Sequence, residues 1–181
     1  MVRFFLHNFN GVVYFPESEW CTLNTLQLFT DSAGSAELGC GCYFQGQWIF
    51  LPWPATWANQ SILQDITFLE LVPIVLSFLV WGKNLQNKKI LLHIDNMSLV
   101  HILNKQSSKS ERVMSLVRPL MLVALGNNIQ FKAQHIPGKN NVIADAISRT
   151  QWDLFRKLAP KADLNPQVIP RSFLTLLSQM K

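Results

Sequence analysis

The apolar and polar positions of the chain first predict a small antiparallel meander. Leu26 to Thr30 form a short apolar, β-prone run that ends on Asp31, which is the pattern of a buried strand. Two further strands are predicted at residues 39–44 and 47–51. The tight turn Gln45-Gly46 joins them as a hairpin. The dense glycines of this region indicate either the close approach of another backbone or a twisted sheet edge.

A long apolar helix follows the meander. It is predicted from about Ile66 to Trp81, with Asp65 as its N-cap and Gly82 as its stop. Glu70 lies among its apolar residues, where an acid is costly unless a cation or a metal meets it. Pro73 removes a backbone donor and predicts a kink beside Glu70.

The next buried strand again ends on an acid. Lys89 to Ile94 precede Asp95, and Asn96 opens a helix. A strand, a long helix and a second strand form a right-handed crossover, which places the second strand parallel to the first and next to it. We therefore expect Asp31 and Asp95 at the same sheet edge, where open sheets bind ligands.

The second half of the chain predicts two helices and a strand. Ser108 and Glu111 make a capping box for one helix, and residues 129–136 alternate like a half-buried strand. After a turn, a last helix from Val142 to Arg149 carries Asp145 in its first turns. The positive end of the helix dipole favours a carboxylate there.

These elements divide the chain into three segments. Residues 1–24 form a leading arm without a sustained period, and residues 25–150 form the domain itself. Residues 151–181 are expected to be a peripheral tail, broken by prolines, with one short apolar helix near Phe173–Leu177.

Composition describes a globular chain and excludes a membrane span. Of the 181 residues, 49% are hydrophobic, yet no apolar stretch reaches the ~18 residues that a span requires. The apolar run of MVRFFLHNF is too short for a signal peptide. Cys21, Cys40 and Cys42 have no disulfide or zinc spacing, so we expect reduced thiols in an intracellular protein. The Trp53 and Trp57 side chains are expected to roof the core rather than stack on nucleic acid bases.

Charge becomes informative once the acids are considered together. Four of them, Asp31, Glu70, Asp95 and Asp145, come from elements that meet in the predicted fold. Crowded carboxylates cannot all stay ionised unaided, and a divalent cation with oxygen ligands, Mg²⁺ above all, resolves the repulsion. Removing these four from the 11 acidic residues leaves 7 against 16 Lys and Arg. Such a basic surface suits a polyanion, although a pI near 9 is also common by itself.

Four motifs carry a resemblance to a known family. They are LFTDSAGS, FLELVPIVLSFLVWG, LLHIDNMSLVHILNK and QHIPGKNNVIADAISR. In order and spacing they resemble the ribonuclease H domain of retrotransposon polyproteins, and most closely that of the tyrosine-recombinase retroelements of the DIRS and Ngaro type. The resemblance covers roughly residues 26 to 160.

The resemblance implies a fold, an activity and a set of partners. The fold would be the α/β ribonuclease H-like fold in three layers, a mixed five-stranded sheet flanked by helices. The activity would be metal-dependent endonucleolytic cleavage of the RNA strand of RNA–DNA hybrids during reverse transcription. It would use two Mg²⁺ ions, or Mn²⁺ in their place. Residues 1–24 would be the end of an upstream reverse transcriptase region of the same polyprotein.

The resemblance also implies roles for individual residues. Carried over by position, Asp31, Glu70, Asp95 and Asp145 would be the catalytic, metal-binding carboxylates. The hybrid would be read by its shape and its 2′-hydroxyls. The residues expected to contact it are Ser32, Gly34, Asn96, Lys139 and Arg149, with Lys105, Lys109 and Arg112 as further candidates for phosphate contacts.

The chain departs from the family pattern at two places. Many cellular members carry a histidine where Lys139 follows Gly138, whereas His135 lies in the preceding strand, where we expect it to pack. The link from Asn104 to Glu111 is too short for the basic helix that some cellular members use to grip the hybrid. These departures leave open a catalytically silent nucleic-acid-binding or structural module. Another nuclease of the same fold, and a plain globular domain, remain as further alternatives.

Overall fold

The computed structural model describes residues 19–94, 96–135 and 141–180. Its strands are β1 Cys21–Thr22, β2 Leu28–Ser32, β3 Gly39–Phe44, β4 Gln47–Pro52, β5 Lys89–Ile94 and β6 Gln130–His135. Its helices are α1 Leu23–Leu26, α2 Ile66–Trp81, α3 Met97–Lys105, α4 Glu111–Gly126, α5 Val142–Ser148, α6 Trp152–Leu158 and α7 Arg171–Ser178. Most of the leading arm, together with Asp95 and Lys139, lies outside the described residues.

The architecture is mixed α/β, with helices flanking the sheets. Strands β2, β3 and β4 form an antiparallel sheet, and β1, β5 and β6 form a parallel one. Successive residues of β3 point to opposite faces. Cys42 contacts the Pro73 carbonyl of α2, whereas the Cα of Gly41 faces α5. The expected α/β class is therefore confirmed, with two three-stranded sheets in place of one five-stranded sheet.

A break in the leading strand separates the two sheets. The hydroxyl of Thr22 accepts a hydrogen bond from the Thr25 backbone at 3.2 Å, and the hydroxyl of Thr25 accepts one from the Thr22 backbone at 3.3 Å. Such side-chain bonds compete with the ladder of a sheet. Gln27 then adopts a left-handed conformation with φ of 52°. The chain consequently pairs with β5 before the break and with β3 after it.

This break corrects the expected pairing of the two acid-bearing strands. The parallel neighbour of β5 is β1, through Cys21 opposite Ile90 and Thr22 opposite Leu91. Over the described residues, no strand pairing joins β2 to β5, and a small cavity lies between them, lined by residues of both strands. Thr30 and Ile94 both line this cavity, so the carboxyl ends of β2 and β5 still lie side by side.

Local signals placed the central helix correctly. Helix α2 spans Ile66–Trp81, and the Asp65 carboxylate accepts the Phe68 backbone N–H at 3.0 Å as its N-cap. Pro73 lies inside the helix, and its carbonyl accepts hydrogen bonds from the Ser77 hydroxyl at 2.7 Å and from the Cys42 thiol at 3.4 Å. The backbone beside Glu70 is thus tied to both the helix and β3.

The capping box expected for α4, with Ser108 as the N-cap, is wrong. Its N-cap is Ser110, whose hydroxyl accepts the Val113 backbone N–H at 3.3 Å. The Ser108 hydroxyl instead accepts the Ser110 backbone N–H at 3.2 Å. Ser108 therefore shapes the turn that leads into the helix.

Residues 151–180 contribute buried side chains to the fold. Phe155 of α6 packs on Trp48 of β4 in one apolar cluster, and Phe173 and Leu177 of α7 belong to the main core. The tail that we expected to be peripheral is therefore packed against the domain. Similarly, β1 pairs with β5 ahead of the boundary drawn at residue 25.

Two further expectations concern aromatic residues and membranes. Trp53 and Trp57 are buried and stacked with their ring centroids 5.5 Å apart, which confirms the roof over the core. None of the described helices is long and apolar enough to cross a membrane.

Candidate functional site

The carboxyl end of β2 is held from both faces by hydrogen bonds between serine hydroxyls and carboxylates. Asp31 and Ser32 are neighbours in the strand, and adjacent strand residues point to opposite faces. Ser148 of α5 donates its hydroxyl to Asp31 Oδ2 at 2.6 Å. Ser32 donates its hydroxyl to Glu70 Oε1 of α2 at 2.9 Å. Two of the predicted acids are thus brought to one strand end.

A glycine allows helix α5 to come this close. A Cβ atom on Gly41 would lie 2.6 Å from the Ala144 carbonyl oxygen, 2.7 Å from Ile147 Cβ and 2.8 Å from the Ser148 nitrogen. These distances are shorter than side chains tolerate, so only glycine fits beneath this helix. Of the two explanations left open for the dense glycines, close backbone approach is the one realised at this position.

The N-terminal end of α5 is also tied to β2. Asn141, which precedes the helix, donates its side-chain amide to the backbone carbonyl of Thr30, one residue before Asp31. The helix is therefore attached to β2 at both of its ends, through Asn141 and through Ser148. These two hydrogen bonds fix the position of α5, and therefore of Asp145, along β2.

Asp145 lies beside this strand end and is paired with a cation. Its carboxylate accepts a hydrogen bond from Arg149 Nε at 2.6 Å, and the two side chains are 40% and 49% exposed. The Asp145 backbone carbonyl lies 3.0 Å from the Ser148 hydroxyl. Hydrogen bonding and charge from Asp145 raise the pKa of Arg149, and Asp31 adds a smaller contribution in the same direction. Arg149 therefore lies in the field of both acids.

The pKa of the buried Cys40 thiol is affected by the charges of Glu70 and Asp31. Cys40 is the register partner of Ser32. Burial raises its pKa most, and the neighbouring Cys42, then Glu70 and Asp31, raise it further. Glu70 and Asp31 therefore act on one point of the core, which is consistent with their meeting at one end of the sheet.

The donor set fits a hard divalent cation in its chemistry. Asp31 and Glu70 each present a carboxylate beside a serine hydroxyl, and Mg²⁺ prefers oxygen ligands of this kind. Among the residues that the structure describes, no three acidic, histidine or cysteine side chains form a group that could hold a metal. The Asp145 carboxylate is hydrogen-bonded to Arg149 instead. Asp95, the remaining acid of the predicted set, is outside the described residues.

The expected substrate contacts lie around this strand end, with one exception. Asn96 caps α3 by accepting the Leu99 backbone N–H at 3.0 Å, and its amide donates to the Thr67 hydroxyl at 3.3 Å. Gly34 lies in the loop after β2, whereas Lys139 falls outside the described residues. As contacts to a substrate, all of these stay predictions.

The other basic candidates lie along the surface. Lys105 and Lys109 are exposed, and Arg112 lies 3.8 Å from the Asp65 carboxylate. His135, which we expected to pack, is instead exposed at the end of β6, opposite Ile94 of β5. The buried part of β6 is at Ala133, two residues before His135, so the apolar cover ends before the strand does.

Sequence reasoning missed two residues of the site, Ser148 and Asn141. One signal was available for Ser148, because it follows Asp145 by three residues in a helix and residues at that spacing share a face. Asn141 occupies the N-cap position of α5, yet its side chain makes no cap hydrogen bond. Its bond to Thr30 could be recognised only from the tertiary structure.

Comparison with known proteins gives similarity at the level of structure. No family model matches the chain, and no curated protein matches it. Among solved structures, the chain is similar to the N-terminal RNase H domain of Rv2228c from Mycobacterium tuberculosis, determined as a fusion with maltose binding protein. The two share 12% sequence identity with a TM-score of 0.45, and the match covers 75% of this chain and 96% of the other. The functional assignment therefore depends on the motifs and on the geometry of the site.

Proposed function

We propose that this chain is a ribonuclease H-like domain that hydrolyses the RNA strand of RNA–DNA hybrids during reverse transcription of a retroelement. The observation that supports it best is that serine hydroxyls bring the carboxylates of Asp31, on β2, and Glu70, on α2, to one strand end. Ser148 of α5 donates to Asp31, and Ser32 of β2 donates to Glu70. Four motifs of the retrotransposon type, in order, supply the same acids.

The carboxylates have a defined task under this proposal. Asp31, Glu70, Asp95 and Asp145 would hold two Mg²⁺ ions, which supply the Lewis acidity that phosphodiester hydrolysis requires. The protein holds the carboxylates of Asp31 and Glu70 in place, because β2 is hydrogen-bonded to helices on both of its faces. A site held in advance loses little free energy to reorganisation when the substrate arrives.

Basic residues would bring the hybrid to the acids. The chain carries a net charge of +5, and counterion release from the phosphates favours binding of a polyanion. Arg149 lies beside the site through its ion pair with Asp145. We propose that its guanidinium contacts a phosphate next to the scissile bond, while the loop from Ser32 to Gly34 contacts the sugar edge.

The experiment is cleavage of a labelled RNA–DNA hybrid, compared with RNA and DNA duplexes of the same sequence. We expect the RNA strand of the hybrid alone to be cut with Mg²⁺ and left intact with EDTA. Asp31→Asn should abolish cutting, whereas the matched control Asp153→Asn, at an exposed acid of α6, should retain it. Cutting of the DNA duplex would instead indicate another nuclease of the same fold.

A second candidate, a catalytically silent hybrid-binding module, is favoured by one observation. The Asp145 carboxylate is already engaged by Arg149 at 2.6 Å, so a cation at this position would have to compete with the guanidinium. Hybrid binding without any product, at all Mg²⁺ and Mn²⁺ concentrations, would support this module. Loss of both cutting and binding would contradict both candidates.

A further inference from the structure

The two serines at the end of β2 form a reciprocal arrangement. On one face the strand supplies the carboxylate, Asp31, and helix α5 supplies the hydroxyl of Ser148. On the other face the strand supplies the hydroxyl of Ser32, and helix α2 supplies the carboxylate, Glu70. Each carboxylate is therefore oriented by a hydroxyl from a different secondary-structure element.

The bond to Asp31 has the geometry of a charge-assisted hydrogen bond. Ser148 is 0% exposed, and its oxygen lies 2.6 Å from Asp31 Oδ2 and 3.0 Å from the Asp145 carbonyl oxygen. A hydroxyl has one proton to donate, and a separation of about 2.5–2.7 Å is typical of donation to an ionised carboxylate. The proton of Ser148 therefore belongs to Asp31, which fixes the rotation of that carboxylate.

We propose that Ser148 and Ser32 are positioning residues that hold the carboxylates of Asp31 and Glu70 in the orientation required to bind a divalent cation. This inference rests on the proposed function, and it assigns Ser32 a role through its side chain beyond a contact with the substrate. Hydroxyls that orient metal ligands in this way raise metal affinity, because the bound geometry is prepared in advance. Neither serine touches the reacting atoms.

The chain offers a matched control for the buried serine. Among the described residues, the fully buried polar side chains are those of Ser148 and Ser77. Ser77 also donates to a carbonyl of its own helix, that of Pro73, at 2.7 Å. Ser77→Ala therefore reproduces the loss of a buried helical hydroxyl without the loss of a carboxylate contact.

The test is Mg²⁺ binding to the full chain by titration calorimetry, with Ser148→Ala, Ser32→Ala and Ser77→Ala compared with wild type. We expect Ser148→Ala and Ser32→Ala each to raise the Kd for Mg²⁺ by about tenfold or more. Ser77→Ala should leave that Kd unchanged, even if its Tm falls as far as that of Ser148→Ala. The Mg²⁺ concentration that gives half-maximal cleavage should shift in parallel with the Kd.

Each outcome decides the inference. If Ser148→Ala does not fold, the half-buried Ser32→Ala variant carries the test. Wild-type Kd values in both variants, or no Mg²⁺ binding to the wild type, would overturn the positioning role. Mg²⁺ binding that weakens in both variants without hybrid cleavage by the wild type would support it and contradict the proposed hydrolysis, so the two failures are distinguishable.

Discussion

Gly41 on β3 lies directly opposite Asp31 on β2 in the antiparallel register, and helix α5 packs on the space that its missing side chain leaves. The backbone nitrogen of Ser148 would lie 2.8 Å from a Cβ at this position. The contact that orients Asp31 therefore depends on a glycine in the neighbouring strand. The pair Gly41 and Asp31 therefore links the packing of α5 to the geometry of the site.

Gly41→Ala should destabilise the fold and disturb the site together. The added methyl group would overlap α5 and force it away from β3, which typically costs about 1–3 kcal/mol. Gly34→Ala is the control, because the nearest atom to its Cβ would be 3.9 Å away. We expect urea unfolding to show a lower free energy of unfolding for Gly41→Ala alone. Equal stabilities of the two variants would show that α5 does not pack so closely.

Arg149→Gln should weaken hybrid binding with little effect on stability. Its ion pair with Asp145 is about half exposed, and such pairs contribute about 0.2–1 kcal/mol. The loss of one phosphate contact should reduce the slope of log Kd against log salt by about 1. Arg171→Gln, at an exposed residue of α7, should change neither quantity. Unchanged hybrid affinity with tighter Mg²⁺ binding would mean that Arg149 only occupies Asp145.

Phe173→Ala should show that the C-terminal tail is part of the core. Phe173 is 2% exposed and its neighbour Leu174 is 42% exposed in the same helix. Truncating a buried phenylalanine costs about 3–5 kcal/mol, whereas Leu174→Ala should cost less than about 1 kcal/mol. The measurement is the free energy of unfolding in urea. A small loss of unfolding free energy in both variants would show that the tail does not pack into the core.

The cysteines should differ in their reactivity in the folded state. Burial raises the pKa of Cys42 to about 12, so at pH 8 only about one thiol in ten thousand is the reactive thiolate. Half-buried Cys21 should therefore be alkylated first, and Cys40 and Cys42 only after unfolding in urea. Raising the pH toward 10 should increase labelling of Cys42 in proportion to its thiolate. Mass spectrometry would follow each site, and equal labelling of Cys21 and Cys42 at pH 8 would contradict the buried position.

The sequence by itself determined the elements whose signals lie within a few residues. The cap of α2 at Asp65, the cap of α3 at Asn96 and the turn at Gln45-Gly46 are all found where their local patterns placed them. These features depend on hydrogen bonds between near neighbours, and a short stretch of sequence contains both partners. The α/β class followed from them, because alternating strands and helices leave few ways to bury their apolar faces.

Only the tertiary structure decided which distant segments meet. The bond between Ser148 and Asp31 joins residues 117 positions apart, and β5 pairs with β1 because a turn at Thr22 and Thr25 interrupts the leading strand. Neither result has a local pattern. Each depends on packing of whole elements, where a missing side chain at Gly41 determines how closely a helix can approach. The acids could therefore be predicted from the sequence, whereas their contacts with the hydroxyls of Ser148 and Ser32 were recognised only in the tertiary structure.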